Sequence, residues 1–138
     1  MAASPLSPDV IANDRYLQGT NQETGITAFA GGGQTGAYPL TAQQSRVTTV
    51  ASGNDSVSLP KIAAIGDSAC YPGQVGMVMM VRNAGANSMQ VFGATPDTIN
   101  DAATGTGVAV GAGKSAIFWC DSYNQTTNVG NWYMLLSA

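Results

Sequence analysis

The sequence contains no histidine and carries little charge. Lysine and arginine number 5 and aspartate and glutamate number 8 among 138 residues, so 9% of the chain is charged, against about 25% in typical soluble proteins. Without histidine, Ser–His–Asp and Cys–His catalysis are excluded, and the commonest metal-ligating side chain is absent. Five dispersed basic residues cannot form the positive surface that nucleic-acid binding requires, so we expect no nucleic-acid partner.

Long apolar runs and cysteines are also scarce. The longest runs, such as Met77–Val81 and Ala116–Cys120, are too short to span a bilayer, and residues 1–10 lack the basic and apolar regions of a signal peptide. We therefore expect no membrane partner and synthesis in the cytoplasm. Cys70 and Cys120 allow one intramolecular pairing, but a cytosolic disulfide would be unusual, so we expect two free, partly buried thiols.

Uncharged polar residues and glycine take the place of charges. Ser, Thr, Asn and Gln together number 41, glycine numbers 17, and hydrophobic residues make up 44% of the chain. A chain with this apolar content can bury a core, so disorder throughout is not expected. The length fits one domain of ordinary size with an additional arm.

Residues 1–24 differ in composition and in hydrophobic pattern from the rest of the chain. They combine Pro5 and Pro8 with Asn, Asp and Gln residues, and their scattered apolar residues follow no sustained period. We predict an extended N-terminal arm over residues 1–24, docked on a neighbouring subunit or on the chain's own domain. A single domain follows over residues 25–138.

From Ile26 onward the pattern is typical of β-structure. Short runs rich in Val, Ile, Thr and aromatic residues alternate with clusters of Gly, Asn, Asp and Pro, as in strands joined by turns. The predicted strands are Ile26–Ala30, Arg46–Ala51, Ser56–Leu59, Gly76–Arg82, Ser88–Phe92, Gly107–Val110, Ala116–Cys120 and Trp132–Leu136. Eight short strands at this spacing predict an all-β fold, either a β-sandwich or a barrel.

Two strands near the middle of the chain allow more specific predictions. Met77–Val81 is apolar on both strand faces, which places it at the centre of a sheet or under a partner surface. Residues 83–87 then supply turn-forming residues, and Met89–Phe92 alternates. We predict a hairpin with a five-residue loop between these two strands. The final strand ends two residues before the last residue, so we expect it to be integral to its sheet.

Two motifs suggest chemistry that their context does not support. Gly111–Ser115 reads Gly-Ala-Gly-Lys-Ser, but a phosphate-binding loop needs a glycine where Val108 stands and a helix after the motif. Strand-like residues follow instead, so we interpret the motif as a turn. Gly66–Ser68 resembles the nucleophile block of a family of serine esterases, whose base is a histidine, so here too we predict a turn.

Acidic and amide side chains offer a candidate calcium site. The oxygen donors are Asp97, Asp101 and Asp121, with Asn87 and Asn100. Calcium loops place carboxylates and carbonyls at tight alternating spacing and include a bidentate glutamate, which is missing here. Asx residues that form turns explain the same cluster more simply, and we predict no metal.

Aromatic residues near the end of the sequence offer a second candidate site, a platform on which sugar rings stack. The candidates are Trp119, Tyr123, Trp132 and Tyr133. Aromatic residues in strands more often fill the core, so packing is the competing interpretation. No spacing selects a pair of carboxylates for glycoside hydrolysis. We therefore predict neither enzymatic activity nor a cofactor.

A series of strand and turn phrases over residues 26–138 resembles small virion proteins of tailed bacteriophages. These are head decoration (cement) proteins and related head-fibre or tail-associated domains. The phrases are Ile26–Gly32, Pro39–Thr41, Arg46–Val50, Val57–Pro60, Val81–Gly85, Met89–Gly93, Asp97–Asn100, Ala112–Ala116 and Asn131–Tyr133.

The resemblance implies a β-sandwich, often a jelly roll, that binds the outer surface of a capsid as a homo-oligomer and links neighbouring major capsid subunits. The implied partners are the major capsid protein and further copies of the chain, as a dimer or trimer, and the implied location is the virion. The family carries no catalytic residues, so none is transferred. A carbohydrate-binding module or phage adhesin domain is the alternative hypothesis.

Overall fold

The computed structural model describes residues 22–62 and 75–138, and within these ranges the chain is all β. No helix there is long and apolar enough to cross a membrane. Asn54, Asn100 and Asn128 occupy turns in the left-handed conformation, which asparagine tolerates better than most residues. The strands are β1 (Gln22–Thr27), β2 (Tyr38–Pro39), β3 (Gln44–Thr49), β4 (Ser56–Ser58), β5 (Val78–Asn83), β6 (Met89–Phe92), β7 (Thr98–Ile99), β8 (Val108–Val110), β9 (Ser115–Asn124) and β10 (Val129–Leu136).

The ten strands form two sheets, and the chain changes sheet at every step from β1 to β9. The large sheet has the order β1-β3-β5-β9-β10-β7, and the small sheet has the order β2-β4-β6-β8. Strands β1, β3 and β5 pair in parallel, as do β2, β4 and β6, whereas β8 pairs antiparallel with β6. Strands β5, β9 and β10 pair antiparallel.

Both sheets contribute to one hydrophobic core. The large sheet supplies Phe118 and Trp132, which are completely buried, and the small sheet faces them with Val57, Met89 and Val91. Burial alternates along β5 and along the first half of β9, so each strand turns one row of side chains into the core. The opposite row of each strand in the large sheet points away from the core.

The all-β prediction is confirmed, and each of the eight predicted strands overlaps an observed one. Strands β2 and β7 are additional, and each has only two residues. The final strand is integral to its sheet as expected, since β10 lies between β9 and β7. The jelly roll is not confirmed, because jelly rolls are antiparallel and β1, β3 and β5 are parallel.

The prediction of an N-terminal arm lies almost entirely outside the described residues. Residues 1–21 are not among those that the structure describes. Gln22, Glu23 and Thr24 belong to β1, where they pair with Gln44–Arg46. The first strand therefore starts four residues before the predicted strand start at Ile26.

The predicted hairpin between β5 and β6 is wrong, because the two strands lie in different sheets. The buried Asn83 side chain ends β5 by donating to the carbonyls of Asn87 and Val110, both at 2.8 Å, and accepting from the Gly85 amide. Gly85 lies so close to Val50 that a Cβ atom would meet it at 2.8 Å. These tertiary contacts direct the connection across the core to the small sheet.

We predict that Asn83→Ala lowers the free energy of unfolding by about 2–4 kcal/mol, because it leaves two carbonyls and one amide of the crossing without their partner. Urea denaturation measures the loss. Gln90→Ala is the matched control, since this half-buried amide makes one long contact with Asn54, and we expect a change within about 0.5 kcal/mol. Equal effects of the two substitutions would contradict the role assigned to Asn83.

Candidate functional site

The side of the large sheet that points away from the core forms a continuous surface, which we call the outer face. Strands β3, β5, β9 and β10 contribute to it. It consists of Gln44, Arg46, Val78, Met80, Arg82, Ser115, Ile117, Trp119, Tyr133 and Leu135, with Asp101 and Asp121 at one end. Along β5 and β9 these residues alternate with buried neighbours, and the strand register places the residues of β3 and β10 on the same side.

The middle of the outer face is apolar and exposed. Met80, Ile117 and Leu135 are direct neighbours across three strands, and their exposed fractions are 42%, 39% and 61%. A groove of about 410 Å³ runs beside them. Single exposed apolar residues are ordinary on protein surfaces, but a contiguous row of them marks a site of interaction with another molecule.

Aromatic rings and carboxylates occupy one end of the outer face. The rings of Trp119 and Tyr133 stack with their centroids 5.7 Å apart and an angle of 19° between their planes. The Tyr133 hydroxyl donates a hydrogen bond to the Asp101 carboxylate, which raises the pKa of Tyr133, and the nearby negative charge of Asp121 raises it further. This end is therefore amphipathic and negatively charged.

Two arginines occupy the opposite end. Arg46 on β3 and Arg82 on β5 are paired neighbours in the parallel ladder, and both side chains are exposed. Neither forms an ion pair with another residue in the described ranges, where Lys61 and Asp97 form the ion pair. Two adjacent guanidinium groups without carboxylate partners make this end positive.

The five candidate calcium ligands do not gather at one site. Asp97 is buried and accepts hydrogen bonds from Lys61 Nζ at 2.7 Å, from the Ile62 amide at 2.6 Å and from the Gly130 amide at 2.8 Å. Its oxygens are therefore occupied by the fold. The structure places Asp101 and Asp121 at one end of the outer face, and within the described ranges no group of three or more cysteine, aspartate or glutamate side chains could hold a metal ion.

The amides of the same candidate site also have structural roles. The Asn100 side chain accepts a hydrogen bond from the Met134 amide at 2.9 Å, and the Asn87 side chain donates to the carbonyls of Val50 and Ala51. These side chains therefore bind backbone groups that are distant in the sequence, and the fold occupies them.

The four candidate aromatic residues divide between surface and core. Trp119 and Tyr133 lie on the outer face, whereas Trp132 is completely buried. Tyr123 packs against the core, and Lys61 Nζ lies 5.5 Å from the centroid of its ring. The platform predicted from sequence therefore reduces to one stacked pair.

The prediction of a turn at Gly111–Ser115 is confirmed. The Lys114 amide donates to the Gly111 carbonyl at 3.0 Å, Gly113 has a φ of 75°, and strand β9 starts at Ser115. Gly66–Ser68 and Cys70 lie outside the described residues.

Sequence reasoning did not single out the charged residues of the outer face as a group. Arg46 and Arg82 are far apart in the sequence and become neighbours only through the register of β3 on β5. The available signal was the alternation of Val78, Met80 and Arg82 on one side of a single strand.

Comparisons with protein families, with curated proteins and with solved structures found no match to this chain.

We predict that Cys120 resists alkylation in the folded protein. Burial raises the pKa of this thiol to about 12, and the charges of Asp97 and Asp121 contribute to the rise. The thiol is protonated below that pKa, so at pH 8 the reactive thiolate is roughly one ten-thousandth of the population. In a Cys70→Ser background, mass spectrometry after iodoacetamide treatment should show slow labelling in buffer and rapid labelling in urea. Equal rates would contradict the assignment.

Proposed function

We propose that the chain is a virion structural protein that binds the outer surface of a phage capsid and links neighbouring major capsid subunits. The observation that carries the proposal is the outer face, a broad apolar and aromatic surface with charges only at its ends. Surfaces of this kind are buried when proteins assemble. The resemblance of residues 26–138 to head decoration proteins supplies the capsid as the partner.

The use of charge in the fold agrees with an assembly role. In the described ranges Asp97 pairs with Lys61, Asp55 is buried and accepts from the Ala51 and Ser52 amides, and Lys114 donates to the Ala138 carbonyl. A subunit repeated many times on a lattice multiplies any repulsion between like charges on its surface. A surface of hydroxyl and amide groups avoids that repulsion and still forms hydrogen bonds across interfaces.

The stacked pair on the outer face favours a second candidate function, carbohydrate binding by a phage adhesin domain. Trp119 and Tyr133 present half-buried rings, and aromatic side chains combine an apolar body with a polar edge that suits such contacts. On this hypothesis Trp119→Ala abolishes binding on a glycan array while the melting temperature changes little. Trp132→Ala is not a useful probe, because Trp132 is in the core.

We predict that the purified protein co-sediments with capsids assembled without it. Such capsids should retain their DNA to a higher temperature, or a lower osmolarity, once the protein is added back. DNA release is measured with an intercalating dye, and bovine serum albumin serves as the control protein. Absence of co-sedimentation, with unchanged DNA release, would overturn the proposed function.

A pair of truncations tests the predicted arm. Deleting residues 1–21 leaves β1 intact, so we expect the melting temperature to change by no more than about 2 °C and capsid binding to weaken at least tenfold. Deleting residues 1–27 also removes an edge strand with the buried Ile26, so its melting temperature should fall further. Equal falls for both truncations would show that residues 1–21 stabilise the chain's own domain instead of contacting a neighbour.

A further inference from the structure

The outer face has the composition of a covered surface, but no described residue covers its apolar centre. Strand β5 is apolar on both sides, with Met79 and Val81 in the core and Val78 and Met80 each 42% exposed. It pairs in parallel with β3 and antiparallel with β9, and a strand that is apolar on both sides is typical of sheets covered on both faces. Within the described ranges no side chain covers Met80, Ile117 or Leu135. The face is therefore built to be covered.

The charges of the outer face are arranged as two opposite poles. Arg46 and Arg82 stand at one end, and Asp101 and Asp121 stand at the other. Along β9, Ser115 is the neighbour of Arg82, and Asp121 lies six residues further on, a distance of about 20 Å. The apolar row of Met80, Ile117 and Leu135 lies between the two poles.

We infer that this face pairs with the same face of a second copy of the chain. The two copies are related by a twofold axis that lies in the plane of the interface and is perpendicular to the line joining the two poles. This rotation brings the arginines of each copy against the aspartates of the other. The same rotation places the apolar row of one copy against that of its partner. The contact is therefore isologous and closes as a dimer.

The opposite charges at the two ends of the face favour a second copy of the chain over a partner whose charges all have one sign. An acidic partner would be attracted by the arginines and repelled by the aspartates. A basic partner would be attracted by the aspartates and repelled by the arginines. A second copy matches both ends at once, since a twofold dimer contains two contacts between opposite poles. The inference rests on the proposed assembly role and deepens it by assigning the homo-oligomer contact to a defined surface.

The size of the face sets the expected strength of the dimer. The four strands of the face at about 4.8 Å spacing give a width of about 19 Å, and a length of about 20 Å gives a footprint of about 400 Å². Stable interfaces bury about 800 Å² on each partner. We therefore expect a reversible dimer with a Kd in the micromolar range.

The experiment uses two charge reversals at exposed positions, Arg82→Glu and Asp121→Arg, in the full-length chain. In each variant alone, both symmetry-related contacts become repulsive. In an equal mixture, the heterodimer restores attraction at both contacts. Ala109→Glu is the matched control, because Ala109 is exposed on the small sheet, remote from the outer face. Thermal melting establishes that every variant is folded.

Sedimentation velocity from about 1 to 200 μM measures the association. We expect the parent chain and Ala109→Glu to dimerise alike, each charge reversal to raise the Kd at least tenfold, and the mixture to recover the dimer. A parent chain that stays monomeric throughout would overturn the inference. Folded reversal variants that do not associate when mixed would also overturn it.

Two further measurements test whether another part of the chain covers the outer face and distinguish failure of the dimer from failure of the proposed function. If the parent chain is monomeric and the chain lacking residues 1–21 dimerises, the chain's own N-terminal residues cover the face and the inference is wrong. Capsid co-sedimentation is measured on the same samples. A dimer that does not bind capsids overturns the proposed function alone, whereas a monomer that binds them overturns the dimer alone.

Discussion

The fold depends on burying the polar backbone of a chain that changes sheet at almost every step. In the described residues the crossings bring backbone groups beside the core, where an unpaired amide or carbonyl is costly. Buried Asx side chains supply the missing partners. Asp55 accepts hydrogen bonds from the two amides that follow β3. After β5, Asn83 binds the carbonyls of Asn87 and Val110. Asp97 accepts from the amides of both Ile62 and Gly130 and so links these two segments. These contacts satisfy backbone groups at places where the chain passes between the two sheets.

This use of polar groups explains how so little charge supports a folded domain. In the described ranges the buried carboxylates serve the backbone, and Lys61 neutralises Asp97 inside the fold. Neutral Ser, Thr, Asn and Gln side chains cover the turns. The charges that remain exposed on the large sheet are Arg46, Arg82, Asp101 and Asp121, and they border an apolar surface that no described residue covers. The few charged residues are thus divided between the interior, where carboxylates bind the backbone, and the ends of the outer face.

Strand positions could be predicted from the sequence, because local composition and turn residues determine them. Strand order could not, since it depends on contacts between distant residues. The Asn83 amide and the Gly85–Val50 contact turn an apparent hairpin loop into a crossing between sheets. Both Trp119 and Trp132 lie in strands, and their pairing decides which ring is buried, because Trp132 lies opposite the buried Cys120 and Trp119 opposite Val78 and Tyr133 on the outer face.

Apolar rows and charged poles contribute differently to the proposed dimer. Rows of side chains repeat every two residues along a strand, so apolar contact alone would permit several registers and orientations between two flat faces. The opposite charges favour one orientation and register, because a reversal brings like charges together and a shift separates the opposite ones. Burial of the apolar row then provides most of the affinity, while the four charged residues determine which pairing forms. A face of this kind combines self-recognition with a low net charge.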